Sequence, residues 1–102
     1  MSILVSLILF SLYGNTYSQT ARLDINLTNR TITEIMEFVE DNSEFVFLYK
    51  NEDLDLTQKV TISLKNATID KILDAAFKEQ TVDYDVYERQ IVLRKAEKTN
   101  SA

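Results

Sequence analysis

Acidic side chains carry most of the chemistry this chain can offer. Glu52, Asp53 and Asp55 crowd into four positions, and Asp83 and Asp85 alternate along an otherwise apolar stretch. The first cluster gathers carboxylate oxygens, the ligands calcium prefers. A calcium-binding helix–loop–helix instead spreads its ligands over a twelve-residue loop, turns at a glycine and closes on a glutamate. Glu52–Asp55 has neither that glycine nor that spacing, so it reads as a solvated charge run in a linker. Asp83 and Asp85 share one face of a strand, whereas a general acid and its partner carboxylate face each other across a substrate cleft. A small domain without glycine-built loops has little from which to form such a cleft. The pair reads as the polar side of a half-exposed strand.

The residue types that are missing exclude more. The chain has no His, no Cys and no Pro, and its one glycine is Gly14. The usual zinc ligands, the catalytic triad and a thiolate nucleophile are thereby gone. After Gly14 no glycine remains to build a phosphate-cradling turn, which needs positive φ and close backbone approach. The net charge is −5, and every charged residue lies after position 21. An acidic balance argues against nucleic acid and against an anionic membrane surface. Without cysteine the fold must hold by packing alone, which an oxidising compartment permits. The expectation is a protein that is no enzyme, with no catalytic residue, metal or cofactor and no small-molecule substrate.

The elements that position these residues come as a repeat. The stretch from Leu23 to Ile35 realigns without a gap on Val60 to Ile72, each position moved by 37. Six of thirteen positions are identical: Ile25/Ile62, Leu27/Leu64, Asn29/Asn66, Thr31/Thr68, Ile32/Ile69 and Ile35/Ile72. Chance would supply about one. Each copy begins with apolar–polar alternation, the pattern of a strand with one buried face. Thr28-Asn29-Arg30 and Lys65-Asn66-Ala67 read as turns, Asn tolerating the left-handed conformation. Thr31 and Thr68 then cap helices, and Thr31-Ile-Thr-Glu34 fits a capping box. The stripes Ile32, Ile35, Met36, Val39 and Ile69, Ile72, Leu73, Ala76 fall on one helix face. Asn42 is the expected end of the first helix. Phe45–Tyr49 is apolar on both faces and strand-forming, and Thr81–Tyr87 with Gln90–Arg94 reads as an antiparallel hairpin around Glu88-Arg89. The order is a duplicated βαβ–βαββ, an α+β domain whose units must press their apolar faces together around one core.

The N-terminus has a different pattern. Residues 3–12 are a ten-residue apolar run, too short to span about 30 Å of hydrocarbon as a helix. It has the length of a secretory h-region, and Thr16 and Ser18 supply smaller residues at −3 and −1. Residues 1–18 are therefore expected to be a signal peptide cleaved before Gln19, residues 19–94 the exported domain, and residues 95–102 a linker or frayed tail.

With these features together, the chain resembles the secretin and TonB N-terminal short domain, in particular as carried by SusC-like TonB-dependent outer-membrane receptors. The resemblance runs from about Leu23 to Leu93. It rests on Leu27–Ile35, Phe45–Tyr49, Leu54-Asp55 and Val60–Leu73, in that order and spacing, with Asn15–Gln19 similar to the signal-peptide end of those receptors. The resemblance implies two helices packed between two small sheets. It implies a periplasmic signalling domain at the periplasmic face of the outer membrane, preceding the plug and barrel of the receptor and contacting an inner-membrane anti-sigma regulator of the FecR-like kind. In secretins a similar domain docks inner-membrane components of an export channel, which is the alternative function. The chain ends where a receptor would continue, so it is expected to be an N-terminal piece or a truncated product. Partner contacts are sought among aromatics. Phe45–Tyr49 could offer Phe45, Phe47 and Tyr49, or have both faces covered. Tyr84 and Tyr87 lie on opposite faces of their strand, so one should be core and the other a surface anchor. A free sheet edge is the remaining candidate.

Overall fold

A computed structural model describes residues 17–96. The apolar run at 3–12 and most of the expected signal peptide lie outside the described residues, as do the last six residues of the expected tail. A single helical turn, α1 (Tyr17–Thr20), leads into β1 (Leu23–Thr31), α2 (Ile32–Asp41) and β2 (Val46–Leu48). A 3-10 turn (Asn51–Asp53) follows, then β3 (Lys59–Ala67), α3 (Ile69–Ala76), β4 (Val82–Tyr87) and β5 (Gln90–Lys95). The fold is α+β with two small sheets. β1 and β3 form a two-stranded antiparallel sheet, and β2-β5-β4 form a three-stranded one. Strand and helix of one copy thus do not close a sheet by themselves. Instead β1 pairs with its own repeat, β3, and β2 and the equivalent strand β4 flank β5, parallel and antiparallel to it respectively.

The helix starts form as the residue types dictate. The Thr31 amide donates to Glu34 Oε1 at 3.0 Å and the Glu34 amide donates to Thr31 Oγ1 at 3.2 Å, completing the capping box. The amide hydrogen bond from Thr31 is the main cause that holds the Glu34 carboxyl below its ordinary pKa. In the second copy the Lys71 amide donates to Thr68 Oγ1 at 3.4 Å. Asn42 closes α2, its amide and its Nδ2 both donating to Phe38 O.

The expected turns at Asn29 and Asn66 are bulges inside continuous strands. Both asparagines take φ of 53°, so the left-handed conformation is present, but the chain runs on instead of reversing. Each bulged amide is met by a side chain from the facing strand. The Asn29 amide donates to Thr61 Oγ1 at 2.9 Å, and the Asn66 amide donates to Asp24 Oδ1 at 2.7 Å. Asp24 and Thr61 are themselves 37 positions apart, so the two contacts are the same contact in the two copies. Replacing either asparagine by alanine should cost up to about 1 kcal/mol, because alanine lacks the short polar side chain whose local hydrogen bonding lets asparagine tolerate the left-handed conformation. Glycine at the same position should be nearly neutral. Urea unfolding of the four single variants checks this, and alanine variants as stable as the glycine ones would contradict it.

Both helix stripes face inward. Ile32, Ile35, Met36 and Val39 of α2 and Ile69, Ile72, Leu73 and Ala76 of α3 are all buried. They meet Ile25, Val60 and Ile62 from the two-stranded sheet and Phe45, Phe47, Ile91 and Leu93 from the three-stranded side. Among the described residues no buried side chain is polar, as expected where hydrophobic burial alone must offset the entropy of ordering the chain. Leu54, just after the 3-10 turn, joins the same core.

Candidate functional site

The pleat of β2 decides which of its residues reach a partner. Successive side chains point to opposite faces, and the larger aromatic rings gain more by burial than valine or leucine. Phe45 and Phe47 accordingly turn inward, leaving Val46 and Leu48 48% and 44% exposed. Phe45 and Phe47 are therefore core, and their place among the candidate contact residues is corrected. The strand is not covered on both faces either, because the register of the sheet sets Val46 level with Gln90 and Tyr87, and Leu48 level with Val92 and Asp85. The outer face of the three-stranded sheet so presents Val46, Leu48 and half-buried Val92, with Tyr87 (59% exposed) beside them.

The other tyrosines take separate places. Tyr84 leans toward α3, its hydroxyl donating to Asp74 Oδ1 at 2.9 Å. Its partial burial first, and then that acceptor, raise the phenol pKa well above its ordinary value. Tyr49 stands just past the end of β2, beside a shallow groove of about 420 Å³ that Leu48, Val92 and Arg94 also line. Tyr49 and Tyr87 consequently lie at opposite ends of the sheet, and the four aromatics do not converge on one spot. Val46 and Leu48 were overlooked because the strand reads as uniformly apolar. The period of two, with aromatics at odd positions only, was the signal that separates them.

The N-terminal turn adds a contact that sequence reasoning missed. The Tyr17 ring lies 4.8 Å from Phe45, and the Arg89 guanidinium lies 4.7 Å from the Tyr17 ring centroid. The Glu44 amide donates to the Tyr17 hydroxyl at 2.8 Å, and Arg89 pairs with the Glu44 carboxylate at 2.6 Å. Cleavage before Gln19 would part Tyr17 from this cluster. The hairpin turn Glu88-Arg89 has Glu88 at φ 61°, the conformation a two-residue loop demands at its first position and usually gives to glycine.

The carboxylates hold local structure. Asp55 Oδ1 accepts from the amide and the hydroxyl of Thr57, at 3.1 and 2.7 Å, and those bonds lower its pKa, the hydroxyl's first. Asp85 pairs with Arg94 at 2.7 Å on the outer sheet face, both side chains about half exposed, a geometry that contributes little in water. Among the described residues no three His, Cys, Asp or Glu side chains gather as a metal ion would need. What the geometry offers is a sheet face and sheet edges.

A family model, the secretin and TonB N terminus short domain, matches residues 45–96. The match takes in β2 through β5 and leaves out the first copy's strand and helix. Domains of this kind occur at the N-terminus of TonB-dependent receptors and secretins, in periplasmic, envelope-associated proteins. No curated protein matches the chain.

Proposed function

The chain belongs to the secretin and TonB N-terminus short domain family, and from that premise we propose that it is the periplasmic signalling and interaction domain of a TonB-dependent outer-membrane receptor. It relays substrate engagement by the receptor to the periplasmic domain of an inner-membrane anti-sigma regulator, and it catalyses nothing itself. The observation that carries this reading is the apolar strip Val46, Leu48 and Val92 on the outer sheet face, flanked by Tyr87. Exposed apolar side chains gathered in one place, with an aromatic beside them, are what a protein contact uses. A signal passes only if the regulator binds this face differently in the engaged and idle receptor states.

The test is binding of the whole chain to the purified periplasmic domain of an inner-membrane anti-sigma regulator from the same genome. Leu48→Glu combined with Tyr87→Ala should weaken that binding by about tenfold or more, as loss of interface anchors does, with the melting temperature nearly unchanged. Undiminished binding would remove the sheet face from the reading. The family description names secretins as well, and docking within an export channel is the alternative. The reading frame beyond codon 102 separates the two: a plug and barrel support a receptor, and further ring-building domains support a secretin.

A further inference from the structure

We propose that the corner formed by Glu44, Phe45 and Arg89 is a binding site for a tyrosine side chain of a partner polypeptide, and that the chain's own Tyr17 fills it until residues 1–18 are removed. The proposal rests on the interaction-domain reading above for the existence of a partner and on cleavage before Gln19. It uses none of the outer sheet face.

Tyr17 shows how the corner reads a phenol. Its ring lies 4.8 Å from the Phe45 ring, within the range over which aromatic pairs attract. The Arg89 guanidinium stands 4.7 Å from the centre of the same ring, close enough for a cation to be drawn to the π face. The Glu44 amide donates to the hydroxyl at 2.8 Å. Ring, cation and donor thus fix both ends of a tyrosine. Phenylalanine would leave the amide without its acceptor, and an aliphatic side chain would forgo both contacts of the ring.

The socket keeps its shape without Tyr17. Phe45 is anchored in the core, and its amide donates to Ser43 Oγ at 3.1 Å. Arg89 is held by the Glu44 carboxylate at 2.6 Å and lies 3.6 Å from that of Glu88. The backbone between them is tied as well, the Val46 amide donating to Arg89 O at 2.8 Å. All of these contacts lie within residues 43–89, so cleavage before Gln19 leaves them standing. Cleavage takes away the ring on Phe45, the ring under Arg89 and the acceptor of the Glu44 amide.

Vacancy and chemistry together select the occupant. Removing residues 1–18 bares the side of Phe45 that Tyr17 covers and turns the Glu44 amide to solvent, beside a guanidinium already in place. Phe45 itself stays in the core, and only that side of its ring is opened. Tyr17 is half-buried in the corner, which is therefore open on one side. Such a corner holds a free phenol weakly, whereas a tyrosine carried on a polypeptide gains from the contacts around it, as interface tyrosines do. A second copy of this chain is opposed by charge, since each copy carries a net −5 and like charges repel.

The test has two arms. Mass spectrometry of the exported product reads its first residue: Gln19 is expected, and a product that keeps Tyr17 overturns the proposal. The second arm uses the whole chain, nitrogen-15 labelled, with Tyr17→Ala emptying the socket. The end-capped peptide Ala-Tyr-Ala should shift the Glu44 and Arg89 amides and saturate at a concentration about tenfold or more below that needed by the parent, whose tethered Tyr17 competes from within. Ala-Phe-Ala lacks the acceptor and should bind about threefold or more weakly, and p-cresol, the side chain alone, should do the same. Adding Arg89→Gln to Tyr17→Ala should weaken Ala-Tyr-Ala by about threefold. Should that double variant unfold, the comparison of the two peptides on Tyr17→Ala decides alone. Unmoved Glu44 and Arg89 amides, equal binding by parent and variant, equal binding of the two peptides, p-cresol as tight as the peptide, or the same shifts on concentrating the variant alone would each overturn the proposal. Leu48→Glu should leave the peptide effect intact. Regulator binding that needs Leu48 while Ala-Tyr-Ala leaves Glu44 unmoved defeats this inference alone, and the reverse result defeats only the sheet-face reading.

Discussion

Ile72→Ala is expected to lower the free energy of unfolding by about 2–5 kcal/mol, and Ile35→Ala by a similar amount, the range for truncating a fully packed isoleucine. Both side chains are sealed from water, at 0% and 2% exposure, on the inner stripes of α3 and α2. A domain of this size has a total stability of about 4–12 kcal/mol. With no disulfide in the chain, nothing covalent compensates a cavity. Each single variant should therefore unfold at visibly lower urea, and the double variant should be largely unfolded at 25 °C before any is added. The equivalence of the two sites is part of the expectation, because they are the same position in the two copies of the unit. A midpoint barely displaced in either variant would mean that the helices do not share one core. A large loss in one and none in the other would mean that the copies are not equivalent in packing.

The duplication was legible because its signal is local and periodic. Helix stripes at three- and four-residue spacing, the Thr31 and Thr68 caps and the two asparagines all act within a few residues, and each appears in the fold where its type requires. The strand order was not legible. Pairing β1 with β3 and laying β2 along β5 is decided by contacts between residues tens of positions apart, for which alternation in one strand gives no register, whereas the β4–β5 hairpin is local and was read around Glu88-Arg89. The asparagines mark the same limit at smaller scale. A positive φ suits a turn and a bulge equally, and only the facing Thr61 and Asp24 make the strand continue. The partner surface was half legible: an exposed Tyr87 follows from its opposition to Tyr84, but the exposure of Val46 and Leu48 depends on which face of β2 the core takes.

Phe47→Ala separates the core role of this strand from its surface role. An aromatic in a two-faced apolar run is an attractive partner contact on sequence alone, yet Phe47 is 7% exposed and faces the helices while Leu48 faces water. Truncation should therefore cost about 3–5 kcal/mol of stability. At about 4–8 °C per kcal/mol for a domain this small, the melting temperature should fall by at least ~12 °C. Tyr87→Ala, removing a ring that is 59% exposed, should change stability by no more than about 0.5 kcal/mol. Binding to the anti-sigma domain should show the opposite order when measured below the melting point of both variants. Folded Phe47→Ala retains the outer strip and should bind nearly as the parent does, whereas Tyr87→Ala loses a contact while staying folded. A Phe47→Ala chain that melts like the parent but no longer binds would place that ring at the interface and reverse the pleat on which the outer sheet face is built.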